Sequence, residues 1–199
     1  MNREQWDERY RTDELIWKAE PNRFLVAELD GIAPGRALDV ACGEGRNALW
    51  LAAKGWRVTG VDFSSAALAK GRRIASEQGL EVEYVEADVV EWPPPLGQFD
   101  AVVLMYLHLP APERRQVLSH AKAALAPGGL LLVVGHDLSN LTQGTGGPQD
   151  ATVLYRPEDL VTDLSGLRIE KAERVTRTVE TEAGPRTAID ALVRAVRPL

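Results

Sequence analysis

The stretch RALDVACGEGRNALWLA, residues 36–52, decides the fold of this chain. It begins as an apolar run, passes through two glycines separated by one residue, and continues with the spacing of a helix. This pattern predicts a strand, a tight turn and a helix in succession. Such a turn presents bare backbone amides to a ligand. The identity of that ligand is the first question that the sequence raises.

Alternation of strands and helices continues along the chain. Apolar or alternating runs predict further strands over residues 56–62, 81–88, 99–107 and 130–136. Helical patterns are found over residues 46–54, 64–79 and 111–125. The fourth strand is apolar throughout, as expected for a strand buried on both faces. The sequence therefore predicts an α/β fold, in which helices cover both faces of a mostly parallel sheet.

The last third of the chain has a different pattern. Residues 137–152 are polar and rich in glycine, which predicts a long loop, and a short helix begins near Pro157. Two strand-like runs follow, over 168–180 and 187–196, joined by a short turn that contains Gly-Pro. They predict an antiparallel hairpin at one edge of the sheet.

The segment before the first strand, residues 1–35, is predicted to form two helical pieces broken at Pro21. It carries four aromatic residues, which are Trp6, Tyr10, Trp17 and Phe24. Two interpretations stay open: these side chains fasten the segment to the body of the protein, or the segment is a lid over a pocket. We expect a single domain over residues 1–199, with this segment followed by a core over 36–136 and a C-terminal part over 137–199.

The composition narrows the classes of partner. The 199 residues carry a formal net charge of −6, and the pI is near 5.2. A nucleic-acid partner is not expected, because binding a phosphate backbone requires a basic surface. The single cysteine, Cys42, excludes an internal disulfide, and no cysteine–histidine cluster has the spacing of a metal site. The charged start and the lack of an apolar stretch of ~20 residues predict a cytoplasmic protein without a membrane partner.

The glycine turn fits some nucleotide-binding patterns and not others. A P-loop requires Gly-Lys-Ser/Thr, whereas Gly45 is followed by Arg46 and Asn47. The pattern G-x-G-x-x-A over residues 43–48, with Asp62 at the end of the second strand, leaves a dinucleotide open. A nicotinamide-dependent oxidoreductase is therefore one interpretation of this stretch.

Two further acids favour a different ligand. Asp39 lies within the first strand, just before Gly43, where a carboxylate suits an ammonium group rather than a pyrophosphate. Asp88 closes the predicted third strand, where it can accept from an exocyclic amine, and the amide of Val89 can donate to a ring nitrogen. The predicted hairpin also makes the sheet mixed rather than wholly parallel.

Five motifs, in order over residues 36–135, resemble those of the class I S-adenosylmethionine-dependent methyltransferases. LDVACGEGRN is similar to the first motif, VTGVD and VEAD to the ribose-binding and adenine-binding acids, FDAVVLMYLHL to the strand leading to the active site, and LAPGGLLLVV to the turn before the fifth strand. The resemblance implies a Rossmann-like seven-stranded sheet of order 3-2-1-4-5-7-6, with strand 7 antiparallel. It also implies S-adenosylmethionine as the cofactor.

A second, shorter resemblance covers the N-terminal segment. WDERY, Trp17 and PNRFL are similar to the entrance of small methyltransferases of the thiopurine-methyltransferase and tellurite-resistance type. It implies a small-molecule methyl acceptor, with oxygen, nitrogen, sulfur or a chalcogen as the acceptor atom. A monomer and a homodimer both remain open, as does a non-catalytic module that only binds the cofactor.

The resemblance assigns roles to the residues of the predicted cofactor site. Asp39 and the glycine turn would hold the methionine end of the cofactor. Asp62 would bind the ribose hydroxyls, and Phe63 would pack on one face of the adenine. Asn47 is expected to form a hydrogen bond at a helix start rather than to contact the substrate. The predicted cofactor-binding set is Tyr10, Asp39, Ala41, Gly43, Gly45, Asn47, Asp62, Phe63, Asp88, Val89 and Met105. A metal is not expected.

Candidate catalytic residues follow from the position of ligands in such folds. Ligands bind at the carboxyl ends of parallel strands, near the point where the strand order reverses. The fourth strand ends near Tyr106 and His108, and the fifth strand ends at His136. Tyr106 is predicted to border the transferred methyl group. His108 is either a general base or part of the wall, and His136 faces the same edge as a candidate to touch the substrate. A base is optional because a sulfonium donor is already activated.

Overall fold

One sheet organises the protein. The computed structural model describes residues 3–12, 14–16, 19–182 and 184–199, and within them seven strands follow the order β3-β2-β1-β4-β5-β7-β6. β7 is antiparallel to both of its neighbours, whereas the other pairs are parallel. The predicted order and direction are confirmed. The strands are β1 (Arg36–Val40), β2 (Arg57–Asp62), β3 (Val82–Glu86), β4 (Phe99–Met105), β5 (Leu125–His136), β6 (Arg168–Thr181) and β7 (Gly184–Val196).

Helices cover both faces of the sheet, as predicted. Alternate residues of β4 point to opposite faces. Val102 packs with one set of helices, α5 and α7, and Val103 packs with α2 and α3 on the other side. The helices are α1 (Arg3–Tyr10), α2 (Arg23–Leu29), α3 (Arg46–Ala53), α4 (Ser65–Glu77), α5 (Ala111–Ala124), α6 (Asn140–Gln143) and α7 (Pro157–Asp163), with a 3₁₀ turn at Ala151–Val153. In the described part of the chain, no helix is long and apolar enough to cross a membrane.

Several element bounds differ from the predicted ones. β3 ends at Glu86, because the Asp88 carboxylate accepts from the backbone amide of Val90 at 2.9 Å and closes a turn there. β5 begins already at Leu125, which pairs with Phe99 before the register shifts. The first helix ends at Tyr10 rather than continuing along the N-terminal segment. Trp17 lies outside the described residues.

The glycine-rich loop after β5 is ordered by buried polar side chains. The amide nitrogen of Asn140 donates to the carbonyl of Gly146 at 2.8 Å, and its oxygen accepts from the amide of Ile189 at 2.8 Å. The loop therefore folds back onto β7 and contains α6 and the 3₁₀ turn. Composition predicted a loop here, but it did not indicate this anchoring.

Candidate functional site

The glycine turn leaves β1 at the carboxyl edge of the sheet. Ala41, Gly43 and Gly45 have positive φ angles of 56°, 55° and 82°. A residue with a Cβ pays roughly 1–2 kcal/mol for this conformation, and a Cβ on Gly45 would also collide with the hydroxyl of Tyr84. The sequence thus forms the predicted cradle of backbone amides between β1 and α3.

Asp39 places a carboxylate beneath this cradle. The side chain is 1% exposed, it accepts from the amide of Ala48, and its Oδ2 has no hydrogen-bond partner among the described residues. Burial raises the pKa of Asp39 to about 7, although the Ala48 amide and the Arg46 guanidinium oppose that rise. An unpaired buried carboxylate oxygen fits a cationic ligand group, such as the ammonium expected at this position.

Asp62 braces the turn from the end of β2. Its carboxylate accepts from the backbone amides of Gly43 at 2.8 Å and Ser64 at 2.9 Å. Burial raises the pKa of Asp62 against the lowering effect of these amides. Asp62 therefore shapes the glycine turn, and its contact with ribose hydroxyls stays a prediction.

Two of the three residues predicted to contact adenine are only half-buried. Phe63 is half-buried next to Asp62, and Asp88 is half-buried in the turn after β3. Val89 is buried in the hydrophobic core. The carboxyl edges of β2 and β3 thus bring these residues together, and their contacts with adenine remain predictions.

The N-terminal segment lies across the glycine turn. Asp7 accepts from the hydroxyl of Ser64 at 2.7 Å, and the Glu44 carboxylate accepts from the amide of Ile16 at 3.0 Å. Tyr10 is buried, and its hydroxyl is so near Gly43 that a Cβ there would lie 2.9 Å from it. The aromatic segment is therefore fastened to the body, in the position that a lid over the turn would occupy.

Asn47 has a structural contact at the start of α3. Its side-chain oxygen accepts from the backbone amide of Asn22 at 2.9 Å, and the side chain is buried. This contact ties the beginning of α2 to the glycine turn. It agrees with the interpretation of Asn47 as a hydrogen-bonding residue at a helix start, and a contact with cofactor stays a prediction.

Arg46 connects the two halves of the site. Its half-buried guanidinium interacts electrostatically with Asp39 and Tyr10, and also with Tyr106 and Arg177. Burial lowers the pKa of Arg46, and Tyr106 and Asp39 oppose that effect. The predicted cofactor side and the end of β4 are therefore neighbours at this edge of the sheet.

A polar cluster surrounds the end of β4, next to the buried Met105. Tyr106 has a φ of 60°, and its hydroxyl donates to Oδ2 of Asp190 at 2.8 Å. Nε of Arg177 lies 3.0 Å from the Tyr106 hydroxyl and 2.8 Å from Oδ2 of Asp190. Burial would raise the pKa of Asp190, but His136, Arg177 and Tyr106 together bring it below its usual value.

The two candidate histidines stack beside this cluster. The rings of His108 and His136 have centroids 5.2 Å apart and an interplanar angle of 15°. Nδ1 of His108 donates to the carbonyl of Val153 at 3.1 Å, and burial lowers the pKa of His108 to about 4. Nδ1 of His136 lies 3.1 Å from Oδ1 of Asp190. The structure therefore brings Tyr106, His108 and His136 together, as predicted.

Sequence reasoning missed Asp190 and Arg177. Asp190 is fully buried on β7, opposite His136 in the strand register, and Arg177 reaches it from β6. A signal was present, because Asp190 interrupts the apolar run TAIDALVRAV at a position that faces inward. Only the register of β7 against β5 shows which partner it has.

Comparisons with known proteins agree with this geometry. A family model described as a methyltransferase domain matches residues 37–129. The demethylmenaquinone methyltransferase of Thermus thermophilus is 42% identical over 104 residues, which are 51% of this chain and 47% of that protein. The chain thus spans about half the length of this curated relative.

Residues 37–129 thus resemble a methyltransferase domain, and this stretch contains Asp39, the glycine turn and Asp62. This match supports the predicted cofactor, S-adenosylmethionine, over the nicotinamide interpretation of the glycine turn.

Solved structures show the same fold over nearly the whole chain. TehB from Haemophilus influenzae superposes with a TM-score of 0.75 at 18% identity, covering 98% of this chain and 66% of that chain. A structure described as the conversion of a disulfide bond into a thioacetal group during echinomycin biosynthesis gives a TM-score of 0.80 at 24% identity, covering 98% and 92%. The likeness extends the methyltransferase fold beyond the matched domain to the N-terminal segment and the β6–β7 hairpin.

Proposed function

We propose that this chain transfers the methyl group of S-adenosylmethionine to a small molecule at the carboxyl end of β4. The observation that carries the proposal is that the guanidinium of Arg46 interacts electrostatically both with Asp39 and with Tyr106, which makes these two half-sites neighbours. S-adenosylmethionine supplies an electrophilic methyl group on a positively charged sulfur. The chain's own contribution is to hold the two partners in line and to exclude water.

The residues divide this work between them. The unpaired oxygen of Asp39 suits the ammonium group, and the amides of the glycine turn suit the methionine carboxylate. Asp62 is placed to accept from ribose hydroxyls, with Tyr10 covering the turn. The cluster around Tyr106 faces the acceptor. The net charge of −6 supports a small-molecule acceptor rather than a nucleic acid.

Calorimetric titration tests the cofactor half of the proposal. We expect S-adenosylmethionine and S-adenosylhomocysteine to bind, NADH not to bind, and Asp62→Ala to weaken binding by about 10–100-fold, since charge-assisted hydrogen bonds contribute about 1.5–3 kcal/mol. Asp62→Asn keeps the shape of the side chain and separates lost charge from a collapsed turn. Asp30→Asn, on an exposed side chain, is the matched control.

Two results would overturn the proposal. Binding of NADH alone would assign the glycine turn to a dinucleotide. Failure of all three ligands to bind the folded chain would remove the cofactor site itself. If the first two ligands bind, a screen of hydroxyl, thiol and amine acceptors with radiolabelled S-adenosylmethionine follows.

A further inference from the structure

We propose that His136 is the general base of this site and that Asp190 is the residue that positions it, so that the acceptor is a hydroxyl compound that must lose a proton. The inference rests on the proposed methyl transfer and names the chemistry of its acceptor. It follows from how the oxygens of Asp190 are divided among three neighbours.

The two oxygens of Asp190 serve different partners. Oδ2 accepts from the Tyr106 hydroxyl at 2.8 Å and from Nε of Arg177 at 2.8 Å. Oδ1 lies 3.1 Å from Nδ1 of His136. Both of these last two atoms are buried, and their relative orientation does not form a hydrogen bond, so neither has a hydrogen-bond partner in the described chain. The Asp190 carboxylate is nevertheless the acceptor within reach of a proton on Nδ1 of His136.

This arrangement leaves Nε2 of His136 with its lone pair. A buried carboxylate on Nδ1 fixes the tautomer of an imidazole and stabilises the imidazolium that forms when Nε2 takes a proton. The His136 side chain is 10% exposed. Gly147 packs closely against the imidazole, and a Cβ at this position would lie 2.7 Å from Nε2 and block it.

His108 is less suited to the same role. Its Nδ1 is already bonded to the Val153 carbonyl, and its Nε2 is buried without a partner in the described residues. The Tyr106 hydroxyl is likewise held, between Asp190 and Arg177. Among the three predicted catalytic residues, His136 alone combines a carboxylate beside one nitrogen with a second nitrogen that no Cβ at position 147 blocks.

The proton and electron balance of the step is simple. The acceptor O–H proton passes to Nε2 of His136, and the oxygen lone pair forms the new O–CH₃ bond. The C–S bond of the sulfonium breaks, and its electron pair stays on sulfur. The positive charge thus moves from sulfur to the imidazolium of His136, beside the Asp190 carboxylate.

Nitrogen-15 NMR of the histidines tests the geometry without turnover. The chain has three histidines, and single His→Gln variants assign them in the complex with S-adenosylhomocysteine. We expect His136 as the Nδ1–H tautomer, and we expect Asp190→Asn to convert it to a mixture. Glu180→Gln, on the exposed side of β6, is the control. An Nε2–H tautomer in the unmodified chain would overturn the proposal, because that nitrogen could not accept a proton.

Two acceptor probes give the kinetic test. With 4-chlorophenol, which carries its proton at neutral pH, we expect His136→Gln and Asp190→Asn to lower kcat by about 10²–10⁴-fold. With 4-nitrothiophenol, which is already a thiolate, we expect kcat of both variants to stay within about twofold of that of the unmodified chain. Equal losses with both probes would assign the two residues to packing and contradict the proposal.

Binding of S-adenosylmethionine separates this proposal from the proposed function. Unchanged binding in both variants, measured by calorimetry, shows that the fold and the cofactor site are intact. If neither probe is methylated, the NMR measurement decides the proposal by itself, since it requires only bound S-adenosylhomocysteine.

Discussion

At the residue scale, the buried carboxyl group of Asp39 makes the stability of the native state depend on pH. Its carboxylate is buried, one oxygen has no partner in the described chain, and burial raises its pKa from 3.8 to about 7. The native state therefore holds a proton that the unfolded state releases. The contribution of Asp39 to stability is complete below about pH 4 and is lost as the pH rises through 7.

Replacing Asp39 by Asn should remove this loss. Between pH 4 and 7, a single such group changes the free energy of unfolding by at most about 1.4 kcal/mol per pH unit. We expect Asp39→Asn to be more stable than the unmodified chain near pH 8, without cofactor, and to show a flatter pH dependence. Urea unfolding at a series of pH values measures this. The exposed Asp159→Asn is the control, and a variant that follows the unmodified chain at every pH would contradict the argument.

At the scale of elements, α1 is attached to α4 by a short polar contact. Asp7 accepts from the Ser64 hydroxyl at 2.7 Å and from the Ala66 amide at 3.3 Å, at the start of α4. Lys70, one turn further on, donates to the carbonyl of Glu14 at 2.7 Å. The N-terminal segment is thus fixed at the helix that also flanks Asp62.

Asp7→Ala should loosen this segment without unfolding the sheet. Loss of a capping acceptor costs about 0.5–2 kcal/mol, so amide exchange in α1 should become roughly 2–30-fold faster. Hydrogen-exchange mass spectrometry of α1 and of β4 measures the two regions separately, and only α1 should respond. Glu8→Ala, on an exposed side chain that pairs with Arg11, is the matched control. Equal rates of amide exchange in α1 of the two variants would show that Asp7 does not attach α1 to α4.

Local patterns predicted most elements because each follows from neighbours in sequence. Ser64 was expected at the start of α4, and its side chain accepts from the Ala67 amide at 3.2 Å. Bounds set by distant contacts were not predictable in this way. β5 extends back to Leu125 because β4 offers a pairing partner there. The start of α6 is held by the hydrogen bond that the Ile189 amide donates to the side chain of Asn140.

At the scale of the whole molecule, Glu28 ties an N-terminal helix to the C-terminal strands. The buried carboxylate of this α2 residue accepts from Lys171 of β6 at 2.5 Å, and Arg194 of β7 donates to it at 3.3 Å and to the Glu28 carbonyl at 3.0 Å. Segments far apart in sequence therefore meet at one carboxylate, which forms two ion pairs on the face that carries α2.

Glu28→Gln should weaken the whole fold rather than one end of it. Removing the charge leaves Lys171 and Arg194 without a carboxylate partner at this position, which lowers the free energy of unfolding by about 1–3 kcal/mol. Urea unfolding should show a lower midpoint with an unchanged slope, as expected for loss of stability in one cooperative unit. Glu173→Gln is the control, because its carboxylate is exposed and lies 4.0 Å from Lys171. A shift in the control as large as in Glu28→Gln would contradict this account.

The sequence predicted the fold and the arrangement around the glycine turn better than the arrangement around Tyr106. Asp39, the glycine turn and Asp62 lie within one strand–helix–strand unit, so spacing along the chain is enough to place them. Asp190 and Arg177 reach Tyr106 from the β6–β7 hairpin. Their positions depend on the register of β7 against β5 and β6. A pattern of apolar residues does not determine this register when both paired strands alternate between apolar and polar residues.

The strained backbone at the end of β4 has a consequence for the order in which parts of the site form during synthesis. Tyr106 holds a left-handed backbone conformation whose cost of roughly 1–2 kcal/mol is offset by contacts with Asp190 and Arg177. Every predicted cofactor-binding residue precedes Tyr106 in the sequence, whereas both partners come after it, in β6 and β7. A nascent chain can therefore shape the glycine turn early, but the cluster around Tyr106 must wait until β7 has left the ribosome.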